Sequence, residues 1–149
     1  MNNIFDTNCR QLTLQRFDKL SSFSQRKWGS MNIEEMLWHL RSQLELALGI
    51  REQTTNIHTY LSKPLFRWLA LYILPWKKGL KTAKEMNVKR LNPAVKDFGS
   101  EKNLLMQRLQ QMESVSDFHP HPLFGKMSKR LWGRLVWKHF NHHLRQFGV

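Results

Sequence analysis

The stretch SKRLWGRLVWKHFNHHLRQFG, residues 128–148, decides the fold. Ser128 reads as an N-cap and Gly148 as a terminator, so one helix fills the interval. At about 100° per residue, Trp132, Leu135, Val136, Phe140 and Phe147 define one apolar arc. His139 and His143 lie near the middle of that arc, whereas Arg130, Arg134, Lys138 and Arg145 gather on the other side. Two ionisable rings are therefore expected to point into a core while the evident charges point to solvent.

A helix with one apolar face needs partners, and three more of its kind can be read. The first runs from Thr7 to Ser21, with Cys9, Leu12, Phe17 and Leu20 inward. The second starts at Asn32. Asn32 with Glu35 three residues on reads as a capping box, and Ile33, Met36, Leu37, Leu40, Leu44, Ala47 and Leu48 follow at helical spacing up to Gly49. The third runs from about Pro93 to Glu113, with Val95, Phe98, Leu105, Leu109 and Met112 inward. The fold class is all-α, a four-helix bundle, and residues 1–149 read as a single helical domain.

A long connection from Gly49 to Pro93 separates the second and third helices. Within it, Ser62-Lys63-Pro64 is a helix start signal and Pro75 a stop, enclosing a short extra helix. That helix is apolar almost all round, which predicts burial over the bundle or in a dimer interface, with an interfacial membrane helix as the alternative. Its flanks are basic, with Lys77, Lys78, Lys81, Lys84, Lys89 and Arg90 against Glu85. The apolar window from Leu65 to Trp76 is interrupted by Arg67 and falls short of the roughly 20 residues a bilayer span requires.

Composition sets outer limits. Of 149 residues, 41% are hydrophobic and 11% aromatic, a globular composition. Glycine and proline are sparse, at 7 and 5, which disfavours many short strands. The lone Cys9 excludes an internal disulfide and a multi-cysteine zinc site. With a polar N-terminus where a signal peptide would be apolar, a cytoplasmic location is expected. The formal net charge of +13 implies a basic face that either keeps the protein soluble or meets phosphate groups.

The histidines carry the chemistry. A lone inward histidine is usually a hydrogen-bonded core residue. Two at i and i+4 on an apolar arc can reach one metal ion, although HxxxH also arises by chance. His39 is the candidate third ligand. It sits at the flank of its helix's apolar stripe, so its position alone is ambiguous. Its depth is more informative: His39 lies seven residues after Asn32, and the middle of the His139/His143 pair lies seven before Gly148. Antiparallel neighbours would bring all three rings to one level. Gln146, on the same arc, either hydrogen-bonds a ligand or is a partly buried polar residue near a frayed end. Glu35 either orients His39 or serves only its cap. His142 lies at the edge of the arc, His119 and His121 flank Pro120 in a loop, and His58 stands without a companion. These four are left outside the ligand set.

The segments RKWGSMNIEEMLWHL (26–40) and HPLFG…KHFNHHLRQFG (121–148) resemble the DinB-like, or YfiT-like, bundle superfamily. They are most similar to a branch of uncharacterised bacterial proteins ending in HxxHHLRQFG. The resemblance implies an up-down-down-up topology, in which the long connection joins two parallel neighbours. It also implies a metal held by one histidine of the second helix and two of the last, which fall on His39, His139 and His143. Relatives include metal-dependent transferases that use low-molecular-weight thiols, and proposed hydrolases.

Three readings follow. In the first, His39, His139 and His143 hold a divalent ion, with zinc, nickel, iron and copper equally suited, for thiol-dependent transferase or hydrolase chemistry on a small molecule. In the second, the chain is a basic binding module for nucleic acid or an anionic membrane surface. In the third, the histidines form a buried polar network without metal.

Overall fold

The computed structural model describes residues 1–53, 59–79 and 82–149; His58 and Lys81 lie outside them. The described residues form helices and no strand, apart from an isolated bridge between His121 and Gly125. The helices are α1 (Thr7–Asp18), α2 (Ile33–Ala47), α3 (Pro64–Trp68), α4 (Val88–Leu91), α5 (Phe98–Ser114) and α6 (Lys129–Gln146). The four long ones, α1, α2, α5 and α6, pack as a helical bundle around one main cluster of buried side chains.

Contacts between helices give their directions. Arg41 and Glu45 of α2 meet Glu101 and Arg108 of α5 in the same order, so these two helices run parallel. Arg10 and Asp18 of α1 meet Glu113 and Lys102 of α5 in reverse order, so those two are antiparallel. Asn3 reaches Arg130 at the start of α6 and Arg16 reaches Asn141 near its end, which makes α1 and α6 parallel.

Local chemistry sets the helix limits. Asn32 accepts from Glu35 N while Glu35 accepts from Asn32 N, completing the capping box. At the other end of α2, Gly49 takes φ +71°, Gly49 N donates to Leu46 O, and Ile50 N donates to Glu45 O. This is a Schellman closure, which needs the left-handed conformation that glycine adopts without a Cβ penalty. Helix α5 starts five residues later than Pro93 suggests. Asp97 accepts from Ser100 N and is the N-cap, while the buried Glu101 carboxylate takes Lys96 N, tying down the preceding extended residues.

Phe17 of α1 and Leu20 just beyond its end are buried as expected, but Cys9 is only partly buried and Leu12 faces solvent. The buried stripe passes instead through Thr13, one turn before Phe17. Thr13 donates its hydroxyl to Cys9 O and so enters the core without an unpaired polar atom.

The extra helix begins at Pro64 and continues through a π turn at Leu69–Ile73. It differs from expectation in its burial. Leu71 is buried against the core, whereas Leu65, Phe66, Trp68, Ile73 and Leu74 are exposed. The far side of α6 explains this. Arg134 and Lys138 do not project into solvent: Arg134 Nε donates to Leu71 O, and Lys138 Nζ donates to Ala70, Leu71 and Leu74 O. The segment therefore rests its carbonyls on cations and turns its other side outward. Arg130 and Arg145 remain exposed. Among the described residues no helix is long and apolar enough to cross a membrane.

Candidate metal centre

Helix α2 supplies His39 and helix α6 supplies His139 and His143, one turn apart. All three are buried, and the ring nitrogens they offer lie within 4.8 Å of one another. His39 Nε2 stands 2.8 Å from His139 Nε2, and the three ring centroids are 4.7 to 4.9 Å apart. The expected trio is thus brought together, with His39 fully inside the core and not at its flank.

Each outer ring nitrogen has its own partner. His39 Nδ1 lies 2.8 Å from Met86 O, His139 Nδ1 lies 2.8 Å from Gln43 Oε1, and His143 Nδ1 lies 2.7 Å from Gln146 Oε1. A main-chain carbonyl only accepts, so His39 carries its proton on Nδ1 and presents a bare Nε2 to the centre. Gln146 is equally fixed, because its Nε2 donates to Trp28 O at 2.7 Å, which turns its oxygen to His143. His143 therefore also presents a bare Nε2. A turn at Trp28-Gly29 makes this approach feasible: Gly29 has φ +80°, and a Cβ there would fall 2.5 Å from Gln146 Nε2.

Burial keeps the rings neutral. It pushes His39 down to about 4, against the opposing pull of the Met86 carbonyl. It pushes His139 and His143 well below the ordinary histidine range, helped by the neighbouring rings. Neutral imidazoles are the form in which histidine binds metal. The donor set fits a cation: two or three lone pairs converge in a buried centre, each ring held from behind by an oxygen.

One side of the centre has an aromatic rim. Trp76, just past Pro75, packs on His139 and His142 at centroid distances of 5.8 and 6.2 Å. Trp28 packs on His142 at 6.1 Å, and His142 on His143 at 5.1 Å. The Lys78 amine lies 4.6 Å from the Trp28 ring centroid. His142, half-buried, is thus a rim residue and not a ligand of the trio.

Other candidates take different places. Gln146 is where a ligand-orienting residue should be. Glu35 is not: its oxygens go to Asn32 N and Lys89 Nζ, and Met86 O holds the His39 ring in its stead. Local capping won because the N-cap amide is within reach of Glu35 as soon as α2 forms. His119 is exposed, while its main-chain N–H donates to Ala47 O. His121 is buried and accepts from Leu123 N and Phe124 N, so it locks its own loop.

Sequence reasoning missed Gln43, Met86, Trp28 and Trp76. Gln43 had a signal, since it lies one helical turn beyond His39 on the same face. Met86 had none, because it acts through its backbone and reaches His39 only by way of the 3₁₀ turn Lys84–Met86.

No match was found among curated proteins or among solved structures. A family described as "Protein of unknown function (DUF1569)" matches residues 11–148, a span that takes in all three histidines and both glutamines behind them. The chain belongs to the DUF1569 family.

Proposed function

We propose that this protein is a metal-dependent enzyme whose divalent ion, zinc, nickel or iron, is held by Nε2 of His39, His139 and His143. The observation that supports this most directly is the fixed orientation of the rings. Met86 O and the Trp28-anchored Gln146 leave bare nitrogens on His39 and His143, both aimed at the same point as His139. Lone pairs so arranged repel one another unless a cation lies between them, and burial disfavours a proton there.

Bound at this point, a divalent ion would supply Lewis acidity and lower the pKa of a water or thiol. The chain's own residues do the rest. Gln43, Gln146 and the Met86 carbonyl hold the imidazoles in one tautomer and one orientation. Trp28 and Trp76 limit water at the rim, and Lys78 offers a positive charge to an anionic co-substrate. We assign the chain to the wider DinB-like superfamily with up-down-down-up topology; the parallel pairs α1/α6 and α2/α5 favour that reading. The chemistry this suggests is thiol-dependent transfer or hydrolysis of a small molecule. The lone free Cys9 suits a reducing cytoplasm.

A metal-free network is the second reading, and one atom pair favours it. The 2.8 Å contact between His39 and His139 would be a hydrogen bond if His139 carried its proton on Nε2. Gln43 would then have to turn its amide nitrogen to His139. Elemental analysis of protein purified without a His tag decides between the two. Stoichiometric metal in the wild type that is lost in His139→Ala is expected; full metal content in that variant would end the assignment.

A further inference from the structure

We propose that the segment from Tyr60 to Lys78 is a docking surface for bilayers containing anionic phospholipid. Tyr60, Leu65, Phe66, Trp68, Ile73 and Leu74 are 44% to 73% exposed. At about 100° per residue, Leu65, Phe66, Trp68 and Ile73 fall on one side of the segment. Arg67, Ala70 and Leu71 fall on the other, where Arg67 donates to Phe124 and Lys126 O and Leu71 enters the core. The apolar side is therefore not spare core. It faces outward because the opposite side is already pinned to α6 and the loop before it.

Charge selects the partner. Between Gln53 and Lys84 the sequence holds no acidic residue and five lysines and arginines. Lys63 at one end of the apolar side, and Lys77 and Lys78 at the other, are exposed. The Lys63 amine sits 5.3 Å from the Tyr60 ring centroid, so cation and apolar groups are interleaved at the edge. Tyrosine and tryptophan beside lysine, with leucine, isoleucine and phenylalanine between, is the pattern of a helix lying in the headgroup region. A second copy fits poorly, since a two-fold interface would set these lysines against themselves. Nucleic acid would satisfy the lysines but not Leu65, Ile73 and Leu74, which offer no stacking surface.

Vesicle co-sedimentation tests this with the full chain. Vesicles of phosphatidylcholine with about one quarter phosphatidylglycerol should bind the protein at least about tenfold better than phosphatidylcholine alone. Raising salt from about 0.1 M to 1 M should weaken binding by a similar factor. The Leu65→Ser/Phe66→Ser/Ile73→Ser variant, and separately Lys63→Glu/Lys77→Glu, should each lose binding at least about tenfold with unchanged far-UV circular dichroism. Should the first variant fail to fold, the second decides. Equal binding to both vesicle types, or undiminished binding by a folded variant, overturns the proposal. So does a wild-type dimer that the variants render monomeric, or patch-dependent binding to a DNA duplex, where vesicles are not bound.

Discussion

At the scale of single residues, the three ring nitrogens are ordered by what stands behind them. Two of the oxygens, from Met86 and Gln146, cannot change role, whereas the Gln43 amide can turn. Gln43→Glu exploits that difference. A carboxylate only accepts, so it fixes the His139 proton on Nδ1 and makes the ring a better metal ligand. The variant is expected to keep or raise metal affinity by isothermal titration, and to melt lower than wild type once stripped by chelator. A metal-free network predicts lower stability with no metal uptake in either protein. His139 and His143 were legible in the sequence because helical periodicity alone puts them on an apolar arc. His39 was legible through its depth along α2 together with the resemblance carried by residues 26–40 and 121–148. The partners behind them were not, since a glutamine on a helix looks like surface and a carbonyl belongs to every residue.

Among the elements, α6 does two jobs with its two faces. The face toward α2 carries the histidines, and the opposite face carries Arg134 and Lys138, which satisfy carbonyls of the α3 segment. Periodicity placed those cations opposite the core correctly but could not say that another element would lie over them. The π turn explains part of this. Leu74 N bonds back to Leu69 O at 2.9 Å, widening the turn and leaving the Ala70 and Leu71 carbonyls to Lys138. Lys138→Met removes the amine while keeping the stem. The loss is expected to cost about 1 kcal/mol, chiefly at Leu74 O, because Arg134 Nε still donates to Leu71 O and Trp76 Nε1 to Ala70 O. Hydrogen exchange should accelerate over residues 64–76 before it does in α2. Equal protection in both proteins would show that the segment is held by Leu71 alone. The register of α5 was misread for a related reason. Pro93 is a good first helical residue, but Asp97 is a better cap, and Glu101 secures it from inside the helix.

For the whole molecule, acid is the weak point. His121 is pushed down to about 3 and His39 to about 4, both by burial, from an ordinary value of 6.5. Each ring binds a proton more readily unfolded than folded, so unfolding takes up protons and stability falls as pH drops below about 6.5. Each histidine contributes a slope of at most about 1.4 kcal/mol per pH unit down to its folded value. Glu45 acts in the same direction: burial alone would raise its carboxyl, but Arg41 and Arg51 hold it below the usual range. Urea midpoints of chelator-treated protein should therefore fall steadily from pH 7 to pH 4. His121→Asn, whose side-chain oxygen can still accept from Leu123 N and Phe124 N, should flatten that fall. An unchanged slope would remove His121 from the account. The reliance of His39 on the Met86 carbonyl also has an evolutionary side. No exchange of side chain at position 86 can delete a main-chain oxygen, so that position is free to drift among residues that fill its apolar niche beside Leu46 and Ala83. Positions 43 and 146 have less freedom, because each must keep a side-chain oxygen behind its histidine: glutamine or glutamate serves at 43, whereas 146 also needs the amide that donates to Trp28 O.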